Sequence, residues 1–143
     1  MKLNSNQLEA AGYLFEKVNG NNHSALLEKI ITESGLSDLK ISNLEKIILD
    51  GINSGLYKDN QSRTSAYWAL SKRFNNELIP NFKKWLQFEI ENGNSGPLFQ
   101  LMIALDNIEE PVFHEARSGH TIDEIELNLR DAKSYLLLNK KSF

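Results

Sequence analysis

Apolar positions along the chain recur at helical spacing. Over residues 4–19 they are Leu8, Ala11, Leu14, Phe15 and Val18, three and four apart, one face of a helix. Asn19-Gly20-Asn21-Asn22 ends it, because Gly and Asn accept the left-handed backbone of a helix terminus. Leu26, Leu27, Ile30 and Ile31 stripe a second helix over 24–34, closed by Gly35. Ser42-Asn43-Leu44-Glu45 reads as a capping box, in which Ser and Glu satisfy orphan backbone donors reciprocally, opening a third helix that stops at Gly55. A fourth spans about 63–74 on Ala66, Tyr67, Leu70 and Phe74, and a fifth about 77–92, with Pro80 in its first turn where a missing N–H costs little. Pro97 opens a sixth helix that runs to about Glu109, and Pro111 prevents its continuation. Residues 111–120 form a loop, Thr121-Ile122-Asp123-Glu124 is a second capping box, and the last helix reaches about Leu138. No stretch alternates with the period of two that a strand needs, and only 36–41 is ambiguous.

Seven helices with short connections suit one all-α domain over 1–143. The expected architecture is antiparallel pairs stacked into a short HEAT-like α-α superhelix, with an irregular orthogonal bundle as the alternative. The best pair is 63–74 with 77–92, joined by Asn75-Asn76. The length of 143 residues and a hydrophobic share of 41% are enough for a core without staples. The absence of cysteine excludes disulfides, thiolate metal sites and cysteine catalysis, and points to a reducing compartment. No apolar run has the length of a membrane span and the first residues carry no signal-type segment, so a cytoplasmic protein is expected.

Charge is the informative asymmetry. Residues 1–105 hold eleven acidic and eleven basic side chains, whereas 106–131 hold eight acidic ones against Arg117 and Arg130. Asp123, Glu124 and Glu126 fall in the first turns of the last helix, where the macrodipole favours carboxylates. Asp106, Glu109 and Glu110 fall at the opposite kind of end, where the dipole disfavours them, and Glu115 follows in the loop. A local rule broken in this way marks a surface kept for a partner. Lys58, Arg63, Lys72, Arg73, Lys83 and Lys84 suggest a basic ridge, read here as the wet faces of two helices. With a net charge of −3, direct nucleic-acid binding is not expected.

Candidate chemistry is sparse. His114, Glu115, His120, Asp123 and Glu124 lie close in sequence, but the histidines are six apart in a loop and match no metal-ligand spacing. No nucleophile, catalytic group, metal site, phosphate loop or cofactor motif is identified. The aromatic residues Tyr67, Trp85 and Phe99 sit at core spacing. Trp68 follows Tyr67 directly, about 100° around the helix, so one of that pair falls outside the core.

The stretch Ala66-Tyr67-Trp68-Ala69-Leu70-Ser71-Lys72-Arg73-Phe74 is followed by Leu78-Ile79-Pro80, by Phe99-Gln100-Leu101-Met102-Ile103-Ala104-Leu105-Asp106-Asn107 and by Glu110-Pro111-Val112-Phe113. Together they resemble small HEAT-like bacterial proteins, several of which are immunity proteins of polymorphic or contact-dependent growth inhibition toxin systems. The resemblance covers residues 63–138 and contains no catalytic motif. It implies a cytoplasmic, non-enzymatic protein that binds a cognate toxin domain, commonly a basic nuclease, and occludes its active site. A HEAT-like adaptor is the alternative, and a nucleic-acid-binding helical repeat a lesser one. The resemblance supplies no contact residues. The charge pattern supplies Asp106, Glu109, Glu110, Glu115, Asp123 and Glu124, with Trp68 as the aromatic candidate.

Overall fold

The structure is a computed structural model that describes residues 1–21 and 23–141, except for the side chains of 139–141. Asn22 of the expected first helix stop, and the side chains of Lys140 and Lys141, lie outside the described residues. The chain is all-helical, as its periodicity predicts, with no strand among the described residues. The helices are α1 (Ser5–Val18), α2 (Ala25–Glu33), α3 (Ile41–Asn53), α4 (Asn60–Ser71), α5 (Ile79–Glu91), α6 (Ser95–Asn107) and α7 (Ile125–Lys141). A 3-10 turn, Asn76–Leu78, leads into α5. No helix among the described residues is long and apolar enough to cross a membrane.

Two compact units divide the chain, Met1–Arg73 and Phe74–Phe143. In the first, α1 packs against α2, α3 and α4. Its buried stripe of Leu8, Ala11 and Phe15 meets Ala66, Tyr67 and Leu70 of α4 and Leu44 and Ile48 of α3 in one apolar core. Gly12 is the close-approach point, since a Cβ there would overlap the Trp68 ring. In the second unit α5, α6 and α7 each touch the other two. Phe82, Leu86, Leu101, Met102, Leu105, Ala132 and Tyr135 form its core, and Val112 brings the loop after α6 into it. Within the first unit α4 packs against α1 and α3, and within the second α5 packs against α6 and α7.

The helix starts show where local signals held. Asn4 and Gln7 form a capping box on α1, and Asp59 accepts the Ser62 amide at 2.7 Å to start α4 three residues earlier than its apolar stripe suggests. The expected box at Ser42 and Glu45 does not form: α3 begins at Ile41, and Glu45 pairs with Arg73. Three members of the expected basic ridge, Arg63, Lys72 and Arg73, are engaged within the fold. Arg63 is buried and donates to the carbonyls of Tyr57 and Lys58 and to Asn60 Oδ1, while Lys72 pairs with Glu16.

Candidate functional site

The acidic stretch centres on the segment between α6 and α7, and its backbone is set first. Helix α6 ends at Asn107, not Glu109. The Glu109 amide donates to the Asp106 carbonyl and the Glu110 amide to the Leu105 carbonyl, the paired bonds of a Schellman turn. Glu109 stands at the left-handed position with φ 66°, where Gly20, Gly35, Gly55 and Gly93 stand at comparable turns. Only Asp106 therefore lies in the last helical turn. Asp123 and Glu124 precede α7, which starts at Ile125. Glu124 reaches back to accept the Thr121 amide at 2.9 Å, the reciprocal half of the expected capping box.

Arg117 organises the segment. Its side chain is only 6% exposed, and Nη1 donates at 3.0 Å to both Asn128 Oδ1 and Asp131 Oδ2. Nη2 lies 3.2 Å from Glu124, and the guanidinium sits over the Phe113 ring. The other nearby groups close around it. His120 stacks on Phe113 at 3.8 Å, the His114 amide donates to Asp131, and the Ala116 amide donates to His114 Nδ1. Asp131 is 2% exposed. Burial, the largest influence, raises its pKa, but the His114 amide, Arg117 and Arg130 together hold it below the usual carboxylate value. Glu124 behaves similarly: desolvation raises it, and the Thr121 amide and Arg117 outweigh that and lower it.

These bonds sort the sequence candidates into two groups. Glu110 is held inside the unit, accepting the buried Tyr135 hydroxyl at 2.6 Å. Burial, and then the Glu110 carboxylate, push the Tyr135 phenol well up. Glu110, Glu124 and Asp131 thus anchor the loop. Asp106, Glu109, Glu115 and Asp123, with Glu126, are exposed and make no side-chain hydrogen bond or ion pair among the described residues. Most carboxylates of the first unit are engaged: Glu9 accepts from Tyr13, Glu16 pairs with Lys72, Glu28 with Lys17, Glu33 with Lys29, Glu45 with Arg73 and Asp50 with Lys46, and Asp59 caps α4, while Asp38 is exposed with no side-chain bond among the described residues.

Trp68 belongs to the first unit and Tyr67 is its core-facing neighbour, with no exposed surface. The Trp68 ring is half-buried over Gly12, edge-on to Tyr13 at 5.6 Å, with Lys72 Nζ 5.5 Å from its centre. His114 and His120 are each engaged within the loop, and among the described residues no three His, Asp or Glu side chains converge as a metal site would require. The hub role of Arg117 has no signature in spacing, because its partners at 124, 128 and 131 lie across a turn and along another helix. The α7 carboxylate and amide do sit at i and i+3, on one helical face.

No family model, curated protein or solved structure matches this chain.

Proposed function

We propose that this protein is a binding protein without turnover of its own, an immunity factor that acts in the cytoplasm. It neutralises a basic toxin domain by seating its acidic surface over that domain's active site. One observation carries the reading: Asp106, Glu109, Glu115 and Asp123 are exposed carboxylates with no bonding partner in the fold among the described residues. Asp106 also lies in the last turn of α6, where the helix dipole opposes it. Carboxylates that bond to no side chain or backbone group in the fold remain available to a partner of opposite sign, and steering of this kind raises association rates by roughly 10–1000-fold. Glu110 and Glu124 hold the loop that presents them, so a partner meets a surface already ordered. Trp68 is accounted for by its packing on Gly12, and the proposed surface does not need it.

The test is growth of cells that express the C-terminal domain of the protein encoded by the upstream gene, should that domain prove toxic, with and without this protein. Rescue by the wild type, and loss of rescue on Asp106→Asn, Glu109→Gln, Glu115→Gln and Asp123→Asn together at unchanged protein level, is expected. Failure of the wild type to rescue would leave a protein-binding adaptor as the better reading.

A further inference from the structure

A polar pocket in the second unit lies between the loop that follows α6 and the first turns of α7. His114, Arg117, Ser118, Gly119, Glu124 and Arg130 form its polar wall, and its volume is about 330 Å³. That is the small end of ligand sites, which run from about 300 to 1,000 Å³. Glu124 is the one acid that lines it, and none of the four carboxylates proposed to meet a partner does.

The wall holds donors that the fold leaves unused. The Arg117 side chain is more than nine-tenths buried, yet its Nε and Nη2 have no hydrogen-bond acceptor. Those two nitrogens form the side-on edge of the guanidinium, the fork that matches two oxygens of an oxyanion. Glu124 Oε1 stands 3.2 Å from Nη2 but out of line for a hydrogen bond, because it accepts the Thr121 amide. A buried donor without an acceptor is costly, and here two share one edge. Arg130 spends Nε and Nη2 on Asp131, which leaves Nη1 unbonded on a half-exposed side chain. His114 Nδ1 accepts the Ala116 amide, so the ring proton is on Nε2, a further donor. The Ser118 hydroxyl and the Ser118 and Gly119 amides are unbonded among the described residues.

We infer that this pocket binds a tetrahedral oxyanion of the phosphate class, which takes the Arg117 fork in place of Glu124. Donors on two guanidiniums, an imidazole, a hydroxyl and two loop amides outnumber what the two coplanar oxygens of a carboxylate can use. A phosphate offers oxygens in four directions. Glu124 is the internal competitor for the fork. Its side chain is 36% exposed and its contact with Nη2 is not an aligned hydrogen bond, so leaving Nη2 for solvent costs it little. Arg117 itself stays in place, because Nη1 remains bonded to Asn128 and Asp131. The site is independent of the proposed toxin partner.

The test titrates the full chain with inorganic phosphate, phenyl phosphate, acetate and sodium chloride at matched ionic strength and pH 7, following the amide resonances of Ser118 and Gly119 by NMR. The expected result is saturable shifts with both phosphates, acetate at least about threefold weaker, the scale of one exposed ion pair, and no saturation with chloride. Tighter binding of phenyl phosphate identifies a phosphate monoester as the occupant, and equal binding the free anion. Glu124→Gln keeps an acceptor for the Thr121 amide and removes the competing charge, so it tightens phosphate by about threefold or more. Arg130→Gln and Ser118→Ala, both at exposed positions, each weaken it by about threefold with the melting temperature unchanged. Arg117 is left intact in every variant, since its Nη1 bonds hold the loop. The absence of saturable shifts, shifts that chloride reproduces, acetate binding as tightly as phosphate, or a Glu124→Gln variant that binds no tighter overturns the assignment.

Discussion

Replacing Arg117 with Leu removes the hub of the α6–α7 loop while keeping much of its aliphatic bulk. The variant loses the bonds from Nη1 to Asn128 and Asp131 and the guanidinium over Phe113. Asp131 stays behind, 2% exposed, with the His114 amide and Arg130 as remaining partners. Stripping one partner from a buried ion pair costs about 3–5 kcal/mol. Arg130 still serves Asp131, and the wild type itself leaves Arg117 Nε and Nη2 without hydrogen-bond acceptors, so part of that cost is already borne. The expected loss is about 2–3 kcal/mol. With a urea slope of about 1–3 kcal/mol per molar, it moves the midpoint of unfolding down by roughly 0.7–3 M.

The pH dependence follows from Asp131. Its folded pKa lies below the ordinary carboxylate value, so its stabilisation is complete above that value and is lost as pH falls through the folded one. The gap between wild type and Arg117→Leu is therefore widest near neutrality and closes below about pH 4. A double-mutant cycle with Asp131→Asn should show coupling of at least about 1 kcal/mol. A loss under about 0.5 kcal/mol, or a gap unchanged down to pH 3, would refute the reasoning.

Glu109→Gly places the residue without a Cβ at φ 66° and should stabilise by about 0.5–1.5 kcal/mol, read as a raised melting temperature. Gly12→Ala forces the Trp68 ring off α1, costs about 1–3 kcal/mol, and changes tryptophan fluorescence as the ring moves. Glu110→Gln weakens the bond to the Tyr135 hydroxyl and should cost about 1–2 kcal/mol in chemical denaturation, whereas Asp106→Asn should stay within about 0.5 kcal/mol. The Tyr135 phenol is raised by burial and Glu110, so the stability tied to it is complete below about pH 10 and declines above it. Absorbance at alkaline pH should show tyrosine ionisation that tracks unfolding.

The helical class was legible because each stripe recurs every three or four residues and Gly or Asn closes it, as Gly20, Gly35, Gly55 and Gly93 do. Helix starts were less legible. Ser42 and Glu45 carry the letters of a capping box, but Arg73, distant in sequence, claims Glu45, and no side chain caps α3. Asp59, in a polar run without stripe residues, caps α4 instead. In the acidic stretch, composition gave the excess of charge but not its allocation. Glu110 and Glu109 are adjacent and chemically identical. A Schellman turn points one at Tyr135 and leaves the other in solvent. Arg117 reads in sequence as one of two cations among eight acids, and only the fold shows it buried against Glu124, Asn128 and Asp131.

The most direct measurement is the affinity of the purified chain for the toxin domain that the growth test identifies, by calorimetric titration at low and physiological salt. The wild type is compared with the fourfold variant Asp106→Asn, Glu109→Gln, Glu115→Gln and Asp123→Asn. The account predicts an unchanged or slightly raised melting temperature for the variant, at least about tenfold weaker binding, and a flatter dependence on salt, because the screened charges are gone. Equal affinity and an equal salt dependence for the two proteins would contradict it.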